Sequence, residues 1–242
     1  MDHSLQEPTS LPASAITPRI SAIIVVRNGE AYLAHAIESV LAQTVTADEI
    51  IVVDGQSVDG TASVARRYLQ VCYVLQPDLG LANARNLGID RASGDLVAFL
   101  DHDDSWLPDK LERQRDLMVA DPVLRYSTTQ MRFVWDHTLG IHANLRRDAL
   151  DAPRAGSTPS ALMAWRALFA EIGYFDPAYT IGCDADWFTR ARDCRVPTAV
   201  CPDVLLHKRL HLTNLSTQAA TNRREMLQIA ARSIARTRQM DL

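Results

Sequence analysis

Short apolar runs alternate with helical patterns through the first hundred residues, and this alternation restricts the fold more than any other feature of the chain. The apolar runs occupy residues 20–26, 49–53, 71–75 and 96–100. Near-continuous runs of this length are typical of strands that are buried on both faces of a sheet. Helices are predicted between them, over residues 29–42, 62–69 and 81–92. This order of elements predicts an α/β protein with a parallel sheet covered by helices.

The second half of the chain is less regular. An extended segment is predicted over residues 125–135 and a short apolar segment over 160–164, and Pro and Gly indicate a loop over 173–179. The predicted helices of this half occupy residues 166–172, 184–195 and 219–240.

The composition is that of an ordinary globular protein and argues against several functional classes. Of the 242 residues, 47% are hydrophobic and 22% are charged, and the formal net charge is −4, so nothing indicates a nucleic-acid partner. No apolar run approaches the roughly 18 residues that span a bilayer. Residues 1–18 lack the pattern of a secretory signal and are predicted to be a disordered tail. The four cysteines form no CxxC pair, so we expect reduced thiols and a cytoplasmic location.

The stretch LDHDD at residues 100–104 follows the fourth apolar run directly and places three carboxylates within four positions. Two carboxylates about 4 Å apart repel each other by roughly 4 kcal/mol at an effective dielectric constant near 20. Ligands of such folds bind at the carboxyl ends of parallel strands, where this cluster and Asp54 are both expected. A Mg²⁺ or Mn²⁺ ion that carries a diphosphate is the hypothesis that fits best. A solvated acidic turn is the alternative.

Several segments, in order along the chain, resemble the GT-A glycosyltransferases of family 2. The resemblance extends over residues 19–216, and Asp101-His102-Asp103-Asp104 is similar to the DxD element of that family. The segments that carry it are IIVVRNGEAYLAHAIESVLAQT (23–44), EIIVVDGQSVDGT (49–61), GLANARNLGIDRASGDLVAFLDHDD (80–104), IGYFDPAY (172–179), CDADWFTR (183–190) and RLHLTNLS (209–216).

The resemblance implies a fold and a division of the chain. The expected fold is GT-A, with a mostly parallel central sheet flanked by helices and an irregular acceptor-side half. The GT-A domain would cover residues 19–216, with a nucleotide-sugar-binding half at 19–108 and an acceptor-side half at 109–216. A C-terminal helix is expected over residues 217–242.

The resemblance also assigns residues to a donor site. It implies that Asp101 contacts the ribose or supports the metal ligands, that Asp103 and Asp104 are candidate ligands, and that His211 approaches the metal or the diphosphate. The further substrate-binding residues that it implies are Asp54, Arg85, Asn86 and Arg209, and Arg27 is added because an arginine can stack on a base or pair with phosphate. The alternatives are a turn cap for Asp54, a solvated helix face for Arg85 and a surface position for Arg27. The expected cofactor is Mn²⁺ or Mg²⁺, and the expected donor is a nucleotide-diphosphate sugar, with UDP as the nucleotide.

Asp184 is the candidate general base, because CDADWFTR is similar to the ED-x-D-x-x-x-R pattern of the family. The implied reaction is an inverting transfer of one sugar to an acceptor hydroxyl. The chain departs from the family at three positions: Arg27 stands where an aromatic residue is usual, Gly55 where a second acid is usual, and Cys183 where Glu is usual. Recognition of the nucleotide base and the acceptor contacts therefore stay open.

Three other functions are considered. The first is a catalytically degenerate nucleotide-sugar-binding module of the same fold. A nucleotidyltransferase would need an early triphosphate loop rich in glycine and in lysine or arginine, which VVRNGEAYL lacks. An EF-hand protein would need the spaced ligands and the glycine of its loop, which LDHDD lacks. The acceptor stays open among a saccharide, a lipid-linked saccharide, a peptide and a small molecule. The basic helix at 219–240 is expected to be a solvated face, with peripheral contact to a membrane or a partner subunit left open.

Overall fold

The computed structural model describes residues 17–135, 152–211 and 219–240, which form a nine-stranded sheet with helices on both faces. The strands are β1 (Ile20–Val26), β2 (Glu49–Asp54), β3 (Val71–Leu75), β4 (Leu96–Asp101), β5 (Ser105–Trp106), β6 (Tyr126–Trp135), β7 (Arg154–Ala155), β8 (Met163–Trp165) and β9 (Thr198–Leu210). The helices are α1 (Leu33–Leu41), α2 (Thr61–Ala65), α3 (Leu81–Arg91), α4 (Lys110–Ala120), α5 (Leu168–Ile172), α6 (Cys183–Asp193) and α7 (Ala219–Met240), and a 3-10 turn covers Pro159–Ala161.

The four strands predicted in the first half are confirmed, and they pair in parallel. Their spatial order is β3-β2-β1-β4, with β1 between β2 and β4. Side chains alternate across β1 because its residues point to opposite faces of the sheet. Ile20, Ala22 and Ile24 pack with α1 and α4, whereas Ile23 and Val25 pack with α3 and α6. The continuous apolar runs thus correspond to burial on both faces.

The second half extends the same sheet in mixed directions. Strand β8 is antiparallel to β4 and to β6, and β9 runs parallel to β6. The extended segment predicted at 125–135 is confirmed as β6, whereas the short apolar segment at 160–164 divides between the 3-10 turn and β8. Strand β9 was not predicted. It contains Pro202 and shifts its register opposite Thr129 and Gln130, and proline with a bulge breaks the usual strand pattern.

The predicted helices differ from the structure mainly at their ends. Helix α1 begins at Leu33, after a turn that follows the left-handed backbone of Asn28, whose φ is 52°. Helix α2 ends at Ala65, because turns within residues 64–71 lead the chain into β3. Helix α4 was not predicted. Residues 1–16 and 212–218 lie outside the described residues, so the predicted tail and the division into halves stay predictions.

Candidate donor and acceptor site

The predicted site residues lie at the carboxyl ends of β1, β2, β4 and β9 and on helices α3 and α6. From β1, the chain first adds β2 and β3 on one side and then returns to place β4 on the other side, so the strand order switches between β1 and β4. Open α/β sheets bind ligands in the crevice at such a switch point. Strand β4 ends at Asp101, and the carboxyl end of β9 comes to the same edge through Lys208, which contacts Asp101 and Asp104. The edge therefore collects carboxylates from the first half of the chain and cations from the second.

Asp101 lies between two cations. Its Oδ1 accepts a hydrogen bond from Arg85 Nη2 at 3.0 Å, and its Oδ2 lies 3.7 Å from Lys208 Nζ. Burial alone would raise the pKa of Asp101, but Arg85 and then Lys208 outweigh burial and lower it. Asp101 is therefore held as a carboxylate, and its side chain keeps 19% exposure toward the crevice.

Arg85 lies beneath this carboxylate instead of on an exposed helix face. Its side chain is 2% exposed, and Nη1 donates to Cys183 Sγ at 3.3 Å. Burial disfavours the charged guanidinium, but Asp101 compensates and raises the pKa of Arg85. Burial raises the pKa of Cys183 to about 11, so this thiol is neutral at pH 7. The contacts of Arg85 favour an action through Asp101, and the expected direct contact with substrate stays a prediction.

Asp104 is surrounded by donors within the protein. Its Oδ2 accepts from Ser160 Oγ at 2.7 Å and Lys208 Nζ at 3.0 Å, and its Oδ1 accepts from Arg209 N at 3.0 Å. Its side chain is fully buried. Burial, together with the charges of Asp103 and Asp101, raises the pKa of Asp104 to about 6, although Lys208 opposes this rise. Asp104 joins the end of β4 to the end of β9, which favours a structural role over the predicted ligand role.

Asp103 faces a different set of groups. Its Oδ2 lies 2.8 Å from His211 Nε2, and its main-chain oxygen accepts from Arg209 Nε at 3.1 Å. Burial opposes ionisation, but the hydrogen bond from His211 and nearby positive charge lower the pKa of Asp103 to about 2. The ring of His211 stacks on the ring of Tyr32 with 5.2 Å between centroids. The Cζ atom of Arg209 also lies over the Tyr32 ring, 5.3 Å from its centroid. These contacts fix the imidazole beside the carboxylate.

The pair Asp103 and His211 fits a Mn²⁺ or Mg²⁺ ion. One carboxylate oxygen and one imidazole nitrogen converge at 2.8 Å, close to the roughly 3 Å that separates neighbouring ligands of an octahedral ion. Within the residues that the structure describes, no three His, Cys, Asp or Glu residues are grouped to hold a metal. An ion at this pair would therefore take one or two protein ligands and would complete its shell with substrate phosphates and water.

Asp184 lies in the first turn of α6, near Arg85, Asp101 and Lys208, which together form the donor cluster. It is partly exposed, and its Oδ1 accepts from Ala185 N at 2.7 Å. Burial raises the pKa of Asp184 more than Arg85 lowers it, and the charges of Asp101 and Lys208 also act on it. A carboxylate with a raised pKa beside a charged cleft is suited to accept a proton.

The loops after β1 and β2 form the opposite end of the site. Arg27 is exposed at the end of β1. Asp54 is buried, and it accepts from Tyr73 Oη at 2.7 Å and Ser57 N at 2.9 Å. Both carboxylate oxygens of Asp54 thus have protein partners. Its predicted contact with the nucleotide stays a prediction, whereas Arg27 has the exposure that such a contact needs.

Asn86 binds the backbone of the loop before α6. Its Nδ2 donates to Phe175 O at 2.8 Å, and its Oδ1 accepts from Phe175 N at 3.0 Å. These two bonds join α3 to the loop 173–179. They favour a positioning role, and the expected substrate contact of Asn86 stays a prediction.

Three residues of the site were missed by sequence reasoning: Lys208, Ser160 and Tyr32. Lys208 is the clearest omission, because the carboxylates of Asp101 and Asp104 raise its pKa and keep it charged despite burial. A search for the cation required by LDHDD could have found it, since Lys208 directly precedes the segment RLHLTNLS. No local signal indicates Ser160, which reaches Asp104 across 56 positions of sequence.

An α/β sheet with an acidic cluster such as LDHDD where its strand order switches is the architecture of the GT-A glycosyltransferases. Solved structures confirm the fold. The mannosyltransferase PcManGT from Pyrobaculum calidifontis, in complex with GDP-Man and Mn²⁺, superposes with a TM-score of 0.71 at 19% identity, over 91% of this chain and 65% of that one. TarS residues 1–349 from S. aureus, in complex with UDP-GlcNAc, gives a TM-score of 0.67 at 18% identity, over 83% of this chain and 61% of that one.

The family follows from sequence. The model of "Glycosyl transferase family 2" matches residues 21–172, and the chain belongs to this family. An uncharacterized glycosyltransferase of Rickettsia prowazekii is 31% identical over 222 residues, which cover 86% of this chain and 69% of that protein. A putative teichuronic acid biosynthesis glycosyltransferase, TuaG of Bacillus subtilis, is 40% identical over 108 residues, 42% of each chain. The matched regions thus span from about a third to about two thirds of the length of the first relatives.

In the described part of the chain, no helix has both the length and the apolar character needed to cross a membrane. The four cysteines are free thiols, as expected from their spacing.

Proposed function

We propose that this chain is an inverting glycosyltransferase that moves one sugar from a nucleotide-diphosphate sugar to an acceptor hydroxyl. The observation that carries the proposal is the placement of Asp184 directly after Cys183, whose Sγ accepts a hydrogen bond from the same Arg85 that binds Asp101. A proton acceptor and a cluster suited to a diphosphate are thus both available within one site.

The donor is proposed to be a nucleotide sugar, with UDP as the first candidate. The related folds hold UDP-GlcNAc in TarS and GDP-Man in PcManGT, so the fold accommodates either base. In this chain, Arg27 would contact the nucleotide at the end of β1, and Asp101 would contact the ribose. The guanidinium of Arg209 and the ammonium of Lys208 supply positive charge toward the diphosphate.

Asp103 and His211 would hold a Mn²⁺ or Mg²⁺ ion. When bound, such an ion would neutralise charge on the departing diphosphate. A histidine binds such an ion through its neutral imidazole, so the Nε2 atom of His211 would be the nitrogen that faces the ion. Asp104 would serve as the support that aligns β4 with β9, and Tyr32 would fix the plane of the imidazole.

The chemical step follows from the position of Asp184. Its carboxylate accepts the proton of the acceptor hydroxyl as the acceptor oxygen bonds to the anomeric carbon. The bond from that carbon to the diphosphate oxygen breaks, and the electron pair leaves with the nucleoside diphosphate. A single displacement inverts the anomeric configuration. Burial of Asp184 favours the proton transfer because it makes the carboxylate more basic.

The test is nucleoside diphosphate release from UDP-glucose, UDP-GlcNAc and GDP-mannose, each with Mn²⁺ or Mg²⁺ and with panels of saccharide, lipid-linked and peptide acceptors. The proposal predicts release with one donor, and a product whose anomeric configuration in NMR is opposite to that of the donor. Retained configuration contradicts the mechanism. Binding of a nucleotide sugar with no release by any acceptor or by water supports the degenerate binding module instead. The cytoplasmic location stays a prediction.

A further inference from the structure

The C-terminal helix α7 lies along α6, the helix that carries Asp184. Glu225 of α7 contacts the residues that precede α6, and Arg236 of α7 contacts Asp193 at the other end of α6. Both contacts join residues 43 positions apart, so the two helices run in the same direction in constant register. Ile229 is buried between these contacts, in the same apolar cluster as Trp187. The predicted solvated helix is thus solvated on one face only.

Glu225 binds three successive backbone amides where α6 begins. Its Oε1 accepts from Thr180 N at 2.7 Å, and its Oε2 accepts from Ile181 N at 3.0 Å and Gly182 N at 2.7 Å. The side chain is buried, with 6% of Glu225 exposed. Burial opposes ionisation, but the bonds from Gly182, Thr180 and Ile181 lower the pKa of Glu225. Glu225 is therefore a buried carboxylate whose charge is stabilised by these amides.

Helix α6 has no side-chain cap of its own. Its N-cap residue is Gly182, and no side chain in the cap position accepts a hydrogen bond. Helix N-termini leave amides that need partners, and Ser, Thr, Asp or Asn usually provide one locally. A Cβ atom at Gly182 would lie 3.0 Å from Met226 Cε and 3.2 Å from Glu225 Oε2. The glycine thus leaves room for the close approach of α7, which supplies an acceptor for the amide of Gly182 and for the amides of the two residues before it.

We propose that Glu225 is a positioning residue for the acceptor step: it holds the residues that begin α6 and thereby fixes Asp184 against the donor cluster. The inference rests on the proposed function, since it gives Asp184 the role of base. Cys183 and Asp184 directly follow the three amides that Glu225 binds, and Cys183 in turn contacts Arg85. Movement of this turn would therefore displace the base relative to the diphosphate. A displacement of about 1 Å can lower a rate by about a hundredfold.

The experiment compares Glu225→Gln with Arg236→Gln, using full-length protein. Gln keeps the shape of Glu225 but offers one acceptor oxygen, so at least one amide loses its partner. Arg236→Gln removes an ion pair between the same two helices at the end far from Asp184. The readout is nucleoside diphosphate release with Mn²⁺ or Mg²⁺, using the donor and the acceptor, water included, that give the fastest release by the wild type among those of the preceding test, together with Tm. We expect kcat to fall about ten- to a hundredfold in Glu225→Gln, with little change in the KM of the donor. In Arg236→Gln, Tm falls and kcat stays near that of the wild type.

Each outcome decides the inference. Wild-type kcat in Glu225→Gln, or equal losses of kcat in the two variants at equal losses of Tm, would overturn it. If Glu225→Gln does not fold, Gly182→Ala crowds the same contact more mildly and is expected to lower kcat without changing the KM of the donor; an unchanged kcat overturns the inference. Absence of release by the wild type, or full release by Asp184→Asn, overturns the proposed function and this inference together. Release that is lost in Asp184→Asn but normal in Glu225→Gln overturns this inference alone.

Discussion

Two regions meet at the candidate donor site: the loops after β1 and β2, and the end of β9. Different kinds of contact hold each of them in place. The loops after β1 and β2 bind each other through local hydrogen bonds, such as Asn28 N to Ser57 Oγ at 2.7 Å and Val58 N to Asn28 Oδ1 at 2.9 Å, about 30 positions apart in sequence. The end of β9 instead reaches the LDHDD cluster through charged side chains. Lys208 meets Asp104 across 104 positions, and His211 meets Asp103 across 108.

The difference shows how the charge of the site is balanced. The first half of the chain supplies Asp101, Asp103 and Asp104, and Arg85 compensates only one of them closely. Lys208 and His211 come from the second half, as does the candidate base Asp184. A site of this kind is complete only when β9 and α6 have docked on the first half, whereas the loops after β1 and β2 can form locally.

The largest expected effect is at Asp184, the base proposed for the second half of the chain. We predict that Asp184→Asn lowers sugar transfer by roughly 10²–10⁴-fold, the usual contribution of a general base, while nucleotide binding in the first half is unchanged. Transfer kinetics and nucleotide binding are measured on the same preparation, with Asp116→Asn, an exposed position on α4, as the control. Equal transfer by both variants would contradict the assignment of the base.

The next largest effect is on stability and concerns the ion pair between Lys208 and Asp104, which connects β9 to the end of β4. Lys208→Met leaves the buried carboxylate of Asp104 without its cation, and breaking a buried pair in this way costs about 3–5 kcal/mol of unfolding free energy. Arg113→Met, which removes an exposed pair with Asp203, should cost less than about 1 kcal/mol. Urea denaturation measures both. Similar losses would mean that Lys208 does not balance the cluster.

A smaller effect is the pH dependence of transfer. The base acts in its deprotonated form, and burial raises the pKa of Asp184, so transfer should fall as pH falls through a value above the ordinary aspartate pKa of about 4. The pH profile of kcat measures this limb, at about tenfold per pH unit. Tm is recorded over the same range, because Asp104, whose pKa is about 6, titrates there too. A limb at or below pH 4 would contradict a base whose pKa is raised.

The smallest expected effect is in the locally held loops. Ser57→Ala removes the hydrogen bond to Asn28 N, and one neutral hydrogen bond contributes about 0.5–1.5 kcal/mol. We expect this loss in urea denaturation and little change in transfer. A loss of unfolding free energy as large as that of Lys208→Met would contradict the difference in contact strength between the loops and the end of β9.

The same comparison explains what sequence reasoning could reach. Strands β1 to β4 were predictable because burial on both faces produces an apolar run that is visible locally. The site edge followed, since Asp54 and Asp101 end such strands. Strand β9 was not predictable from pattern, because Pro202 and the charged residues near Lys208 interrupt it and its pairing depends on a bulge opposite β6.

The surroundings of individual site residues depend on contacts between distant parts of the chain, which the local sequence does not reveal. Asp103 and Asp104 are chemically identical neighbours, yet one faces His211 with 13% of its side chain exposed and the other is fully buried against Lys208. Glu225 reads as a solvated helix residue, and only the docking of α7 brings it to the amides before α6. The resemblance of sequence segments identified the positions, and the packing of the two regions gives each carboxylate different partners.

The central claim is that the LDHDD cluster is a metal-assisted site for a nucleotide diphosphate, and thermal unfolding tests it most directly. Wild-type protein, Asp103→Asn and the control Asp116→Asn are compared with UDP, UDP-GlcNAc and GDP-mannose, each with and without Mn²⁺. The account predicts that one nucleotide with Mn²⁺ stabilises the wild type and the control, by about 2.7 kcal/mol at a hundredfold excess over Kd, and that Asp103→Asn loses this gain. No stabilisation of the wild type by any of these nucleotides, with or without the metal, would contradict it.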